Sequence, residues 1–326
     1  MTTRPPQTPS RTIPPSSTAG ASRAAGLAWG FIGVAAFSFT VPFTRVAVES
    51  LSPLFVGAGR AVVAAALAAL ALALTRQRLP RGTQWLRLVI VAGGVVAGFP
   101  LLTSFALQTA PASHGAVVIG LLPAATAVAA VLRTGERPAR SFWVFAGLGA
   151  VAAVVFAGLQ GDGFVGLTGA DLLLFGAVIA AAVGYAEGGL LARELGAWQT
   201  VSWALVLASP LMLALTGFAA LSDPPQATPV QWLAFGYLAV VSMFLGFFAW
   251  YRGLGIGPMA QVSQVQLVQP VMTIAWAALL LGEHVGGATI AGGLAVVACA
   301  GLAVRTRAGR APRRRRGTAD RPAPQS

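Results

Sequence analysis

The sequence predicts an all-α integral membrane protein of ten transmembrane helices, arranged as two inverted five-helix repeats. Composition gives the first indication, because 56% of the 326 residues are hydrophobic and only 10% are charged. Charged residues make up about 25% of ordinary soluble domains, so that class is excluded. Two further observations are that apolar runs of bilayer-spanning length recur along the chain, and that the second half repeats a residue pattern of the first.

Ten apolar runs come close to the ~20 residues that a helix needs to cross the hydrocarbon core of a bilayer. The predicted spans are Gly26–Phe43, Pro53–Leu74, Leu88–Leu107, Ala112–Leu132, Phe142–Leu159, Ala170–Leu191, Trp198–Leu221, Val230–Tyr251, Met259–Leu281 and Val285–Val304. The first run follows a Pro-, Ser-, Thr- and Arg-rich tail and so imitates a signal peptide. The chain stays apolar beyond it, so we interpret this run as an uncleaved first span.

All 22 basic residues are arginines, and the formal net charge is +13. Nucleic-acid-binding proteins carry similar charge, but these arginines lie in the tails and in short joints between apolar runs, so no nucleic-acid partner is expected. When both termini are placed in the cytoplasm, every arginine except Arg45 and Arg60 falls on the cytoplasmic side. This positive-inside bias predicts a multi-pass protein of the inner (plasma) membrane with both termini cytoplasmic.

The two halves of the chain share their helix-breaking residues. A shift of 147 residues aligns Pro111 with Pro258, Pro123 with Pro270, Thr126 with Thr273, Gly135 with Gly282, and Glu136 with Glu283. Helix four thus corresponds to helix nine, and an odd number of helices per repeat inverts the second repeat. Inverted repeats are typical of secondary transporters with a site near the midplane. We divide the chain into a disordered cytoplasmic tail (1–23), two repeats (24–160 and 161–304) and an Arg-rich cytoplasmic tail (305–326).

Two segments resemble a known family: ALQTAPASHGAVVIGLLPAATAVAAVLRTGE in the first half and YRGLGIGPMAQVSQVQLVQPVMTIAWAALLLGE in the second. With LSPLFVGAGRAVVAA, they make about Gly26–Val304 similar to the EamA type of the drug/metabolite transporter superfamily. The resemblance implies two repeats of five helices and a carrier that exports amino acids, related metabolites or toxic compounds with an ion gradient. Small multidrug pumps of this superfamily carry a carboxylate in helix one, but Gly26–Phe43 contains none. Their mechanism is therefore not transferred.

Glu187 is the candidate for proton coupling, because a carboxylate within a membrane span is costly and is a functional candidate by default. Its helical neighbours three and four residues away are Val183, Gly184, Leu190 and Leu191, which offer no cation. The alternative is that Glu187 lies one turn from the interface and is hydrated there.

Four side chains are candidates for substrate contact. Arg60 lies ~10 Å into helix two, where its planar guanidinium would suit a substrate carboxylate; capping of carbonyls or snorkelling outward are the alternatives. Gln266 and Gln269 lie near the middle of helix nine, where an amide must face a neighbouring helix or a water-filled path. Trp276 lies deep in the same helix, where it either lines the path or packs in the core.

Four further residues are expected to gate the path or support its structure. Glu136 and Glu283 follow helices four and nine at the membrane faces, where they either gate or cap the amides of a neighbouring helix. Pro123 and Pro270 each remove a backbone donor in mid-helix and favour a kink.

The repeat pattern predicts an inverted-repeat carrier, and with the export of small metabolites that the resemblance implies, we expect a secondary active transporter that exports a small metabolite, such as an amino acid, by proton-coupled alternating access. No metal site is expected, because Cys299 is the lone cysteine and the two histidines are far apart in sequence. No cofactor or catalytic residue is expected, because the sequence has no nucleotide-binding Gly-rich loop with a lysine and no nucleophile beside a plausible base. The small-molecule substrate and the lipid bilayer are the expected partners, and the protein is expected to act as a monomer or homodimer. Two alternatives remain: a membrane-embedded enzyme, which would have to use Glu136, Arg133 and Arg140, and a non-transporting receptor, for which a large soluble module is expected.

Overall fold

The structure, a computed structural model, describes residues 17–135, 139–160, 167–256 and 262–308. Ten helices follow one another, and several consist of consecutive pieces. They are α1 (Ser17–Ser38, Thr40–Ala47), α2 (Pro53–Leu74), α3 (Gln84–Val91, Ala92–Gly98, Phe99–Ala106), α4 (Ala112–Ile119, Leu122–Thr134), α5 (Arg140–Gln160), α6 (Gly169–Leu195), α7 (Ala197–Ser222), α8 (Pro229–Gly236, Tyr237–Leu245, Gly246–Ile256), α9 (Ser263–Val268, Gln269–Leu281) and α10 (Gly287–Ala308). No strand occurs in the described ranges.

The length and composition of these helices confirm the predicted all-α membrane architecture. Within the described ranges, nine helices are long and apolar enough to cross a membrane, and α9 adds the shorter apolar helix Val265–Leu281. The chain differs from prediction mainly at its tails. The first helix begins at Ser17, within the predicted disordered tail, because a turn added to an existing helix avoids the cost of nucleation. The last helix continues to Ala308, into the predicted Arg-rich tail.

The two repeats depart from regular α-helix at corresponding places. In α3 the piece Ala92–Gly98 is a π-helix, and in α8 so is Tyr237–Leu245. Such wide turns are rare and occur frequently at functional sites. In addition, α4 is interrupted just before Pro123, and α9 begins with a 3₁₀ piece just before Pro270. The predicted kinks thus take the form of helix interruptions, which bring irregular backbone to the centre of the bundle.

Helix packing also follows the repeat. The helices α2 and α7, α4 and α9, and α5 and α10 each pack against their own counterpart, while α1 packs on α8 and α6 packs on α3. Glycines permit the last two crossings. A Cβ at Gly253 of α8 would lie 2.6 Å from the backbone nitrogen of Gly30 in α1, and one at Gly94 of α3 would lie 2.3 Å from the carbonyl oxygen of Ala180 in α6.

The bundle has two chemically different ends. We call one the arginine end: there α2 and α6 finish, α3 and α7 begin, and the Gln199 amide donates to Gln77. We call the other the capped end: there the Glu283 carboxylate accepts hydrogen bonds from the backbone nitrogens of Ala112 and Ser113, at 2.7 and 2.8 Å. Glu283 thus caps the N-terminus of α4, which is the capping role that the sequence allowed for it beside gating.

Candidate functional site

A small cavity lies at the centre of the bundle, and we call it the central cavity. Its volume is about 30 Å³, enough for about two water molecules. A second cavity of about 10 Å³ adjoins it and shares the lining residues Val41, Leu122 and Gln269. The polar residues that line the central cavity are Thr40, Arg60, Tyr185, Ser242 and Gln269. Helices of both repeats therefore contribute to its wall.

Arg60 is buried in this wall with little to compensate its charge. It is 2% exposed, so it does not snorkel to the surface. Its two terminal nitrogens donate to the hydroxyls of Thr44 and Thr103 at 3.4 Å, which is long for a hydrogen bond. Its Nε has no partner among the described residues, and no carboxylate of that part of the chain pairs with it. Burying a cation without a counter-charge costs several kcal/mol. Arg60 is therefore the main candidate to bind an anionic ligand.

The glutamines of α9 supply a second polar group. The side-chain oxygen of Gln269 is buried and has no hydrogen-bond partner in the described part of the chain. Gln269 lines both cavities, and Gln266 lines only the smaller one. The structure thus brings three predicted substrate contacts, Arg60, Gln266 and Gln269, to one place. There they present an unpaired donor (Arg60) and an unpaired acceptor (Gln269).

Glu187 lies instead at the arginine end, where charged side chains of both repeats meet. It is 2% exposed and forms ion pairs with Arg87 of α3 and Arg133 of α4, the latter at 2.5 Å. Arg87 also pairs with Glu194, one of the last residues of α6. We call Arg87, Arg133, Glu187 and Glu194 the arginine latch, since it ties α6 of the second repeat to α3 and α4 of the first.

On the other side of the central cavity, toward the capped end, aromatic side chains of α1, α8 and α9 pack together. Trp276 lies two turns (~10 Å) beyond Gln269 along α9. Its ring stacks on Phe39 of α1 at 4.5 Å between centroids, and its Nε1 donates to the Ser38 hydroxyl at 2.9 Å. Next to this stack, Phe43 meets Tyr237 of α8 edge to face at 4.7 Å. We call Phe39, Phe43, Tyr237 and Trp276 the aromatic plug.

Trp276 is therefore held by neighbouring side chains and is not among the residues that line either cavity. These contacts favour core packing as the role of Trp276 over direct contact with a substrate. Glu136, the other predicted gating or structural carboxylate, lies outside the described residues. Among the described residues, no group of three or more histidine, cysteine, aspartate or glutamate side chains is placed to hold a metal ion.

Comparison with known proteins identifies the architecture. The EamA-like transporter family matches residues 24–158 and again residues 168–305, one match for each half of the bundle. The chain belongs to this EamA-like transporter family. A Bacillus subtilis (strain 168) protein named "Uncharacterized transporter YdeK" is 45% identical over 278 residues, which cover 83% of this chain and 93% of that protein. A protein of known crystal structure shares the fold with a TM-score of 0.60 at 20% identity, covering 88% of this chain and 99% of the other.

As an EamA-like transporter, the chain is a multi-pass membrane protein of two repeats, as the resemblance implied. Sequence reasoning missed the cations of the arginine latch, because it searched for partners of Glu187 only along its own helix. A usable signal was present: Arg87 is near the start of α3 and Arg133 near the end of α4. In antiparallel neighbours these two positions lie at the same end of the bundle as the last turns of α6.

Proposed function

We propose that this transporter exports a small metabolite with a carboxylate and an amine, such as an amino acid or a related compound, across the inner membrane. The observation that carries the proposal is the pair of unsatisfied groups in the central cavity. The Arg60 guanidinium is a donor without a counter-charge, and the Gln269 oxygen is an acceptor without a donor.

The cavity as described holds about two water molecules, so a substrate would enter only when the surrounding helices separate. A zwitterion admitted in that way would satisfy both groups at once. Its carboxylate would accept hydrogen bonds from the planar fork of Arg60, and charge-assisted bonds of this type are roughly twice as strong as neutral ones. Its ammonium would donate to Gln269. The hydroxyls of Thr40 and Ser242, which bond to each other at 2.7 Å across α1 and α8, offer further polar contacts. A site built to pair with both groups discriminates strongly against an analogue that lacks one of them.

The two closures support transport by alternating access. The arginine latch closes one side of the central cavity, and the aromatic plug closes the other. Opening the latch separates α6 from α3 and α4, and opening the plug separates α1 from α8 and α9. These are corresponding helix groups of the two repeats, as rocking of inverted repeats requires. By the positive-inside rule, the arginine end and both termini face the cytoplasm.

Proton coupling is assigned to Glu187. Protonation would remove the negative charge that Arg87 and Arg133 both bind, and so would favour separation of α6 from α3 and α4. Because each chain carries both repeats and a complete central cavity, it is sufficient as a monomer, and a homodimer would hold two separate paths.

The test is exchange transport in proteoliposomes with three related probes: a neutral amino acid, its carboxamide and its decarboxylated amine. The proposal expects exchange of the amino acid only. It expects Arg60→Gln to lower the rate at least 100-fold, since the buried carboxylate of the substrate would lose its charged partner (~3 kcal/mol). Arg78→Gln, a change at an exposed arginine, is the matched control. Equal exchange of amino acid and amine, or an unchanged rate in Arg60→Gln, would overturn it.

A further inference from the structure

A long apolar groove on the side of the bundle is separate from the central cavity. It lies among α4, α5 and α6 and has a volume of about 700 Å³. Its walls are apolar except at the arginine end, where Arg133 and Glu187 line it. Wall residues such as Ile179 and Val183 are exposed on the outer surface of the bundle. The groove therefore opens sideways, toward the bilayer.

One position in the wall of the groove carries a small side chain where the other repeat has a large one. The shift of 147 residues aligns Ala129, which lines the groove, with Trp276. In the second repeat the indole of Trp276 fills the space beside Phe39. In the first repeat the methyl group of Ala129 leaves the corresponding space empty.

The dimensions fit one acyl chain of one leaflet. Along α4 the groove extends from Leu121 to Arg133, a rise of ~18 Å at 1.5 Å per residue. One half of the hydrocarbon core is ~15 Å thick. An acyl chain in the groove would therefore reach from the bilayer midplane to the membrane surface at the arginine end.

The arginines at the arginine end of the groove favour an anionic lipid headgroup. The side chain of Arg133 is 52% exposed, and it binds Glu187 through Nε and Nη2, which leaves its Nη1 edge for another acceptor. Arg140, the exposed first residue of α5, adds a second cation at the same end of the bundle. Basic pockets between membrane helices on the cytoplasmic side bind anionic lipid headgroups.

We propose that this groove is a regulatory site for an anionic phospholipid of the cytoplasmic leaflet. One acyl chain lies along α4, and the phosphate binds Arg133 and Arg140. Bound at Nη1, the phosphate shares the positive charge of Arg133 with Glu187 and weakens that ion pair, so the bound lipid loosens the arginine latch and accelerates transport. The site rests on the proposed orientation of the arginine end toward the cytoplasm, but lipid binding itself does not depend on the identity of the substrate.

The binding test uses the purified full chain, titrated in detergent with phosphatidylglycerol or phosphatidylcholine and measured by native mass spectrometry. Ala129→Trp fills the groove with the side chain of the corresponding position, and Ala69→Trp, at an exposed alanine of α2, is the matched control. The expected result is phosphatidylglycerol binding that is at least tenfold weaker in Ala129→Trp and unchanged in Ala69→Trp. Arg140→Gln is expected to weaken phosphatidylglycerol binding and to leave phosphatidylcholine unaffected. A thermal unfolding midpoint close to that of the parent shows that Ala129→Trp is folded; Ala129→Leu replaces it if the tryptophan variant does not fold.

Equal affinity for the two lipids would overturn the headgroup assignment. A change of oligomeric state in Ala129→Trp without any loss of lipid would identify the groove as an interface between two copies. Displacement of the lipid by a transported compound would identify the groove as a substrate entry. Either result overturns the proposal. Phosphatidylglycerol binding that persists when no amino acid is exchanged would refute the proposed function and leave the lipid site standing.

Discussion

Replacing Glu187 with glutamine tests whether the arginine latch holds the arginine end closed. The substitution keeps the size of the side chain and removes the charge that Arg87 and Arg133 bind. It also imitates the protonated carboxylate. If the latch works as proposed, the protein should shift toward a state in which the central cavity is open to the cytoplasm.

The magnitude follows from the exposure of the two arginines. The pair with Arg87 lies in a mostly buried setting, where a hydrogen bond to a charged group contributes about 1.5–3 kcal/mol. Arg133 is half exposed, so its pair contributes no more than a surface ion pair, about 0.5 kcal/mol. The closed state should lose about 2 kcal/mol, which corresponds to a roughly 30-fold change in the equilibrium.

The assay is labelling of a single cysteine in the central cavity. Met243→Cys introduces it at a buried lining position, and Cys299→Ala removes the native thiol. A membrane-impermeant maleimide is applied to inside-out vesicles, so that it reaches the protein from the cytoplasmic side. Glu187→Gln should raise the labelling rate 10- to 30-fold. Because the thiolate is the reactive form, acid slows the maleimide reaction itself; acidification should therefore raise the rate of the parent relative to that of Glu187→Gln at the same pH.

Glu49→Gln, at an exposed glutamate, is the matched control and should label like the parent. A Glu187→Gln rate within twofold of the parent would show that the ion pairs do not hold this end closed. A faster rate in Glu187→Gln with the same pH dependence as the parent would keep the latch but remove Glu187 as the proton site.

Two further substitutions test the capped end. Trp276→Ala removes the ring that stacks on Phe39. In right-side-out vesicles, where the maleimide reaches the capped end, this change should raise labelling of the same cavity cysteine at least tenfold. Trp276→Phe keeps a ring and should restore much of the closure, so equal labelling rates for the two variants would count against an aromatic plug. Glu283→Ala removes a carboxylate that accepts two backbone hydrogen bonds at the start of α4. Loss of such a cap costs ~1 kcal/mol and should lower the thermal unfolding midpoint by about 2–4 °C, while the membrane side from which the cysteine is labelled stays the same. A change in that side without a loss of stability would instead indicate a gate.

The sequence was most informative about the helices, for a physical reason. In hydrocarbon every backbone group needs an internal partner, so a long apolar run has little choice but to form a helix. The span Pro53–Leu74 has the same ends in prediction and structure, because Ser52 caps its start. The ends of α1 and α10 were missed because apolarity marks where the membrane begins and not where a helix stops.

The candidate site was only partly accessible from the sequence. Arg60 and Gln269 could be selected as candidates because a polar side chain in an apolar run stands out on its own. The ion pairs of Glu187 join helices far apart in the chain, so no local pattern could identify Arg87 as a partner. The π-helical pieces of α3 and α8 went unpredicted for a similar reason, since their residues AGGVVAG and YLAVVSMFL suit an ordinary helix equally well.

The arginine latch consists of charged side chains and the aromatic plug of uncharged rings, so the two ends of the bundle should differ in their response to salt. Dissolved salt weakens the attraction between exposed charges, with a screening length of about 8 Å at physiological ionic strength. The ion pair of the half-exposed Arg133 should therefore weaken as salt rises in the adjoining compartment, more than the mostly buried pair of Arg87. The stacked rings of the aromatic plug carry no net charge and do not respond to salt. If the two closures act as proposed, added salt should favour opening of the arginine end alone, and the two halves would respond differently to the solutions that they separate.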